Sequence, residues 1–176
     1  MNQQSRNDIL WAPWRMEYIK SGKGEEIPKV KVAAGGDINC FICQACADFE
    51  NDRKRLVVGR TQFTVTLLNK FPYNNGHLLM APIRHISRMD LLTPEEAQSL
   101  TSEITYWIGK IEKTMNAEGF NVGLNLGRVA GAGLPGHMHW HIVPRWNGDA
   151  NFMTTTCSAK SIPQALDAAW EMLRRE

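Results

Sequence analysis

The sequence predicts a single α+β domain, in which a mostly antiparallel five-stranded sheet packs with one long helix and a C-terminal helix. Three observations support this fold class. Short runs rich in β-branched residues are mixed with two segments of helical periodicity. The loops between these segments are tight, and the chain contains no internal repeat.

Five strands are predicted from β-branched or apolar runs that end at turn residues. The run 56–68 is interrupted by Gly59 and Arg60 and therefore predicts two strands, or one strand preceded by an extended lead-in. The turn-rich segment 69–76 follows it, and the next short buried strand is closed by Pro82. The three strands after the first two are 77–82, 121–126 and 138–143.

The long helix is predicted from residue 93 to about residue 118. Thr93 is a favourable N-cap, Pro94 suits the first helical position, and Glu96 completes a capping box. Gly119 marks the predicted end of this helix. Apolar residues recur at helical spacing along it, at Leu100, Ile104, Trp107, Ile108, Ile111 and Met115. A final helix is predicted over about 163–174, and the segment 127–136 is a glycine-rich loop.

Composition excludes several classes of protein. Apolar residues make up 43% of the chain and charged residues 22%, which is typical of a globular rather than a disordered protein. The net charge of +2 is too small and too scattered to indicate a nucleic-acid or membrane surface, although it allows a few cations around one anionic pocket. No run approaches the ~20 apolar residues that span a bilayer, and no secretory signal is visible. We therefore expect a cytoplasmic protein without membrane or nucleic-acid partners, whose four cysteines are thiols or metal ligands.

Three of the five histidines occupy alternate positions in the last predicted strand, at His137, His139 and His141. Strand geometry directs them to one face, with ring centres on the order of 7 Å apart. A solvent-facing edge strand explains them poorly, because water does not select for imidazole. A purely structural metal site also explains them poorly, because same-face histidines alone rarely supply four ligands. Near neutral pH one ring can be a nucleophile, while a protonated neighbour stabilises a phosphate or its leaving oxygen.

The glycine-rich segment 131–136 leads directly into these histidines. Glycines let backbone N–H groups approach a ligand closely and form a concave anion-binding site. A glycine loop alone is a weak signal, but a glycine loop that leads into three alternate histidines indicates chemistry on a phosphate group.

The segment 137–143, His-Met-His-Trp-His-Ile-Val, resembles the histidine-triad motif of a family of nucleotide hydrolases and transferases. The chain is most similar to the bacterial diadenosine-tetraphosphate hydrolase/phosphorylase branch of that family. The resemblance implies a histidine-triad fold, a homodimer and a catalytic domain at 37–176. Two tryptophans around Pro13 indicate an arm and the aperiodic, glycine-containing segment 21–36 a loop, so 1–36 is predicted as an N-terminal arm and loop. Further matching segments are 11–16, 68–72, 74–82, 84–86, 125–128 and 144–146.

The resemblance also implies roles for individual residues. His139 would attack the α-phosphorus of a nucleotide and form a nucleotidyl-histidine intermediate, which divides the displacement into two in-line steps. His141 would contact the phosphate and leaving group, and His77 would assist in the same proton network. Asn69 would bind the ribose hydroxyls. The phosphate oxygens would be held by Asn125 and by the loop residues Gly131, Ala132 and Gly133.

The expected activity is hydrolysis of dinucleoside polyphosphates, such as diadenosine tetraphosphate, or of adenylylated compounds, without an organic cofactor. Phosphorylase-type relatives tend to carry Gly-Ser where this chain has Ala132-Gly133, so a hydroxyl that could hold an incoming phosphate is absent. Hydrolysis is therefore favoured over phosphorolysis, and a non-catalytic nucleotide-binding zinc module is the alternative of a different class. Trp146 follows the histidines and is either a substrate-side residue or part of the core.

Cys40 and Cys43 have the spacing of a zinc knuckle, and Cys46 repeats it. A thioredoxin-like role would place the pair at the start of a helix that follows a strand, and the residues before Asp37 offer no strand. A zinc site needs two further ligands. Related uridylyltransferases use a Cys-x-x-Cys pair together with the first histidine of their motif. This resemblance implies a structural zinc on Cys40, Cys43, His85 and His137. Cys46 is a competitor for Cys43 or a spare thiol, and buried thiols without metal are the alternative.

Overall fold

The computed structural model describes residues 27–149 and 162–175, and this portion has the predicted α+β fold with a five-stranded sheet. The arm motif at 11–16 and Cys157 lie outside the described residues, and the domain division at residue 36 stays a prediction. None of the described helices is long and apolar enough to cross a membrane. The helices are α1 (Phe41–Ala47), α2 (Pro94–Met115) and α3 (Leu166–Leu173). The strands are β1 (Val57–Arg60), β2 (Thr64–Leu68), β3 (Leu78–Pro82), β4 (Gly119–Leu124) and β5 (Trp140–Arg145).

All neighbouring strands of the sheet are antiparallel, in the order β1-β2-β3-β5-β4. Because β5 is inserted between β3 and β4, the last of the strands in the described residues lies in the interior of the sheet. In the register, Leu79 of β3 stands opposite His141 of β5. This pairing brings the 69–77 loop, which ends where β3 begins, beside the histidines.

The histidine strand begins and ends two residues later than the sequence predicts. It begins at Trp140 rather than at Met138, because its register with β3 starts there. Upstream of that point, the Met138 N–H donates to the Ile86 carbonyl at 2.7 Å. Two of the three alternate histidines, His137 and His139, therefore precede the paired strand and are not constrained to its face.

The capping box at the start of α2 is confirmed. The Thr93 hydroxyl accepts from the Glu96 N–H at 3.3 Å, and the Glu96 carboxylate accepts from the Thr93 N–H at 2.8 Å. The helix ends earlier than predicted, because Asn116 takes the left-handed conformation with φ 51° and forms the C-cap. Gly119 is consequently the first residue of β4, two residues before the predicted start of that strand.

The apolar face of α2 is buried against the sheet and α3 through Leu100, Trp107 and Ile111. Trp107 packs so closely on β1 that a Cβ on Gly59 would lie 2.7 Å from the indole ring. The register between β1 and β2 also shifts between Val57 and Gly59. The break that the sequence predicts at Gly59 and Arg60 is therefore a bulge in β1, at which α2 approaches the strand closely.

The C-terminal helix α3 begins at Leu166, later than the predicted residue 163, and its N-cap Ala165 makes no side-chain cap hydrogen bond. Tertiary contacts hold α3 in place instead. The Trp170 indole N–H donates to the Val57 carbonyl at 2.7 Å, and Leu173 is buried in the core.

The short helix α1 is not predicted by the sequence. Cys40 is its N-cap, so the cysteine pair does lie at the start of a helix, although no strand precedes it in residues 27–40. Ile42 is completely buried against the sheet. The Gln44 side chain accepts from the Val30 N–H at 2.8 Å and donates to the Val30 carbonyl at 3.0 Å. Helix α1 is therefore stabilised by its packing and by the chain before it.

Candidate active site and metal cluster

The predicted catalytic histidines His77, His139 and His141 form one cluster. Ring centroids lie 5.2 Å apart for His139 and His141, and 5.1 Å apart for His77 and His141. The first distance is shorter than the strand spacing predicts, because His139 precedes the paired strand and its ring plane is tilted by 56° to that of His141. His77 is completely buried, and His139 is 7% exposed.

The hydrogen bonds of His77 determine where the protons of the cluster lie. The Tyr73 backbone N–H donates to His77 Nδ1 at 3.0 Å, and the amide nitrogen of Asn69 lies 3.2 Å from the same atom. Because a backbone N–H can only donate, neutral His77 carries its proton on Nε2. That proton is donated to His141 Nδ1 at 2.9 Å, so neutral His141 in turn carries its proton on Nε2.

His139 has the opposite arrangement. Its Nδ1 lies 2.9 Å from the backbone carbonyl of His137, and a carbonyl can only accept. The ring proton is therefore on Nδ1, and Nε2 keeps its lone pair. The cluster thus combines a potential nucleophile, His139 Nε2, with a potential hydrogen-bond donor, His141 Nε2–H.

Burial keeps two members of the cluster neutral. Burial, reinforced by the neighbouring His141 and His139, lowers the pKa of His77 to about 3. Burial and the adjacent His139 also lower the pKa of His141. The site without substrate therefore contains neutral His77 and His141 near pH 7, rather than the protonated neighbour that the sequence suggested.

His139 and His141 line a cavity of about 700 Å³, which we call the triad cavity. Its volume lies within the usual range of small-molecule sites. Its lining includes several aliphatic residues, the predicted substrate residue Asn69 and two glycines of the loop. The aliphatic residues include Leu56, Leu67, Leu79 and Leu134, and the glycines are Gly131 and Gly133.

The glycine loop is folded more tightly than the sequence suggests. Residues 128–130 form a 3₁₀ turn, and the N–H groups of Gly131 and Ala132 donate to the carbonyls of Arg128 and Gly127. These two N–H groups are used inside the loop, which argues against both as phosphate donors. Ala132 is also absent from the lining of the triad cavity, whereas Gly133 contributes to it.

Two predicted substrate residues stand apart from the triad cavity. The Asn125 side chain lies against the glycine loop, where its amide nitrogen would be 3.9 Å from a Cβ on Gly131, and Asn125 is not on the lining of the cavity. Trp146 donates its indole N–H to the Met115 carbonyl at 3.2 Å, at the end of α2. Trp146 is half-buried and is not on the lining of the triad cavity.

Three cationic residues on the lining were missed by the sequence analysis: Lys54, Arg55 and Lys70. The Arg55 guanidinium is nearly buried and pairs with the Asp48 carboxylate at 2.6 Å. Lys54 and Lys70 come from two separate loops. No sequence motif includes both loops, so the sequence could not identify these lysines individually. It indicated only that a chain of low net charge can still place a few cations around one pocket.

The four predicted metal ligands are brought together, and their ligand atoms all lie within 4.8 Å of one another. His137 Nδ1 is 3.4 Å from Cys40 Sγ and 3.5 Å from Cys43 Sγ, and His85 Nδ1 is 3.2 Å from Cys43 Sγ. A tetrahedral zinc with its usual bond lengths places sulfur and nitrogen ligands about 3.5 Å apart. We call these four residues the metal cluster.

The chemistry of the metal cluster also fits a cation. His137 Nε2 lies 2.9 Å from the Pro82 carbonyl and must donate to it, so the lone pair on Nδ1 is directed to the thiols. Burial raises the pKa of Cys40 to about 12, so a thiolate at this position requires a nearby positive charge. Cys46 is not part of the cluster. It lines a separate cavity of about 310 Å³ beside Cys43 and His85.

Comparisons with known proteins agree with this geometry. The HIT domain family model matches residues 50–148. An AP-4-A phosphorylase of Mycobacterium tuberculosis is 36% identical over 176 residues, which are 100% of this chain and 87% of that protein. The asymmetrical bis(5'-nucleosyl)-tetraphosphatase of Schizosaccharomyces pombe is 36% identical over 90 residues, which are 51% of this chain and 49% of that protein.

Solved structures show the same fold. A Zn-bound histidine triad family protein from Mycobacterium smegmatis has a TM-score of 0.56 and 23% identity, covering 68% of this chain and 81% of that chain. A HIT family protein from Bacillus anthracis has a TM-score of 0.53 and 27% identity, covering 61% and 74%. The family model spans more than half of the sequence, and the mycobacterial relative aligns over all of it. This chain therefore belongs to the HIT domain family.

Proposed function

We propose that the protein is an enzyme that cleaves dinucleoside polyphosphates, such as diadenosine tetraphosphate, or adenylylated compounds at the α-phosphate, through a nucleotidyl intermediate on His139. One observation carries this proposal. The His139 Nδ1–H donates to a backbone carbonyl, so Nε2 is the ring nitrogen of His139 that can attack phosphorus, and His139 lies on the lining of the triad cavity. The names of the mycobacterial and yeast relatives support the substrate class.

The other histidines serve the leaving group. His141 Nε2–H donates a hydrogen bond to phosphate oxygens, and His77 holds the His141 ring in the required tautomer. Because both rings are neutral, they offer a hydrogen bond rather than an excess proton. A polyphosphate departs as an anion and needs only that hydrogen bond, whereas an amine leaving group must be protonated. The protonation states therefore favour polyphosphate substrates over phosphoramidates.

Water is the acceptor that we propose for the second step, which releases AMP from the adenylyl-histidine. The absence of a serine at Ala132-Gly133 supports this choice. Inorganic phosphate is the second candidate, because the relative that aligns over the whole chain is named a phosphorylase. Diadenosine tetraphosphate would give AMP and ATP with water, and ADP and ATP with phosphate.

Product analysis with and without inorganic phosphate tests both steps. Wild-type protein should release AMP and ATP without phosphate and form an adenylyl adduct on His139 that mass spectrometry of a quenched reaction detects. His139→Ala should lose the adduct and turnover while retaining nucleotide binding. A variant that keeps most of its activity would refute the covalent mechanism. ADP formed solely in the presence of phosphate would replace hydrolysis by phosphorolysis. Tight AMP binding by wild type without adduct or turnover would favour a non-catalytic nucleotide-binding module.

We also propose that the metal cluster binds a structural zinc. The ligands would be Cys40 Sγ, Cys43 Sγ, His85 Nδ1 and His137 Nδ1. When bound, zinc would neutralise the thiolates and join α1 to the segment before β5, and no step at phosphorus requires it. The two-sulfur, two-nitrogen ligand set and the Zn-bound mycobacterial structure support this assignment. Metal analysis of purified protein should find about one zinc per chain.

The remaining proposals concern assembly and cellular context. We infer a homodimer, because β4 is an edge strand with exposed residues and Val122 is 41% exposed there. We place the protein in the cytoplasm, where a reducing environment suits the free thiols Cys40, Cys43 and Cys46. Residues 1–36 remain assigned as an arm and loop before the catalytic domain 37–176. A nucleotide is the expected partner, with no membrane or nucleic acid.

A further inference from the structure

Two large aromatic side chains at the triad cavity remain mostly exposed. Phe71 is 62% exposed and Tyr73 is 59% exposed, and both line the cavity. An aromatic side chain that is exposed to water does not gain the free energy of burial. Exposed apolar groups that lie together at a cavity therefore indicate a contact surface for a ligand. These two side chains are therefore placed to contact whatever extends out of the cavity.

The loop that carries these aromatics is fixed by the site itself. The Phe71 N–H donates to the Asn69 side-chain oxygen at 3.0 Å, and the Tyr73 N–H donates to His77 Nδ1 at 3.0 Å. The Asn69 N–H also donates to the His77 carbonyl at 2.9 Å, which closes the loop at its base. The aromatic rings are thus held on a positioned loop, which lowers the entropy lost when a ligand binds.

The position of the loop relates it to the leaving group. The Tyr73 ring is nearly parallel to the His141 ring, with an interplanar angle of 17° and centroids 5.7 Å apart. Under the proposed function, His141 is the histidine on the leaving-group side. Lys70 lies next to Phe71 in the sequence and lines the same cavity, where its ammonium group adds positive charge for a chain of phosphates.

We propose that Phe71 and Tyr73 form a distal nucleoside subsite, on which the base of the departing nucleotide stacks while Lys70 attracts the intervening phosphates. This inference rests on the proposed function and narrows it to substrates with a nucleoside at both ends of a polyphosphate. Base–aromatic stacking tolerates any base, so the subsite selects for the presence of a second nucleoside rather than for its identity.

Phe71 is the cleaner residue to change, because the Tyr73 ring also contacts His77 and His141. The probes are two non-cleavable analogues: diadenosine tetraphosphate with both outer bridging oxygens replaced by methylene, and adenosine 5'-tetraphosphate, which lacks the second nucleoside, with its α,β-bridging oxygen replaced by methylene. Dissociation constants are measured calorimetrically for wild type, Phe71→Ala and the control Phe49→Ala. Phe49 is 70% exposed and does not line the triad cavity.

Phe71→Ala should weaken binding of the dinucleotide analogue about fivefold or more, and change binding of the mononucleotide analogue less than twofold. Phe49→Ala should change neither. Equal weakening of both analogues, or of neither, would overturn the distal subsite and leave the proposed function standing. An unchanged affinity with a lowered thermal midpoint would also overturn it, since Phe71 would then pack against its own chain. Failure of wild type to bind either analogue would contradict the proposed function as well.

Discussion

Acidification should destabilise the protein through the burial of neutral His77. The unfolded chain protonates this histidine near its ordinary pKa of about 6.5, whereas burial in the fold lowers the pKa to about 3. Between these two values the unfolded state binds a proton that the folded state does not. The free energy of unfolding therefore decreases as the pH falls through this window, by up to about 1.4 kcal/mol per pH unit.

Integrated from pH 7 to pH 5, the loss from His77 is about 2 kcal/mol. His77→Gln removes the titrating ring and keeps a side chain that can accept from the Tyr73 N–H. Urea unfolding, followed by tryptophan fluorescence at pH 7, 6 and 5, should therefore show a loss that is about 2 kcal/mol smaller in this variant than in wild type. Other acid-sensitive groups are common to both proteins and cancel in the comparison.

The control for this experiment is Gly59→Ala, which destabilises the protein without removing a titratable group. Its pH dependence should match that of wild type. If His77→Gln loses as much stability between pH 7 and pH 5 as wild type does, the fold does not lower the pKa of His77, and the folded protein protonates it over the same pH range as the unfolded chain. The assignment of a neutral His77–His141 pair would then be wrong.

Three further changes have defined outcomes. Cys43→Ser should abolish the zinc content measured by metal analysis and lower the thermal midpoint by about 5 °C or more, and a full complement of zinc in this variant would exclude Cys43 as a ligand. Gly59→Ala should destabilise by about 1–3 kcal/mol, because its Cβ would lie 2.7 Å from Trp107, whereas Gly109→Ala in the open middle of α2 should stabilise by up to about 1 kcal/mol in the same denaturant assay. Val122→Glu should convert the proposed dimer to a 19.9 kDa monomer in light scattering, and an unchanged mass would move the interface away from β4.

Local signals in the sequence predicted the elements that depend on neighbouring residues. The capping box at Thr93 and Glu96 acts within one turn, so the start of α2 was predicted correctly. The end of α2 was predicted at Gly119 because glycine is the commonest C-cap, but Asn116 takes the left-handed conformation first. Helix α1 was missed because seven residues carry little periodicity, and its stability comes from packing on the sheet.

Among the site residues, the ones that share a motif were the easiest to predict. His139 and His141 belong to one short pattern, and the Cys40–Cys43 pair belongs to another. The cations on the cavity lining belong to no pattern, because Lys54 and Lys70 come to line the same cavity only when β1 and β2 pair. The position of Trp146 in the chain allowed either a substrate-side or a core role, and in the structure its indole N–H donates to the Met115 carbonyl at the end of α2.

The sequence by itself determined the fold class, the chemical types of the reacting groups and the residues available as metal ligands, because these depend on composition and short-range spacing. Only the tertiary structure decided the state of each imidazole. His137 receives its tautomer from the carbonyl of Pro82, and His77 receives its own from the Tyr73 N–H. His139 has a free Nε2 because its Nδ1 is hydrogen-bonded to the His137 carbonyl, which lies before the first residue of β5. The hydrogen-bond partner of each ring nitrogen determines where the ring proton lies, and the spacing of residues along the chain does not predict that partner.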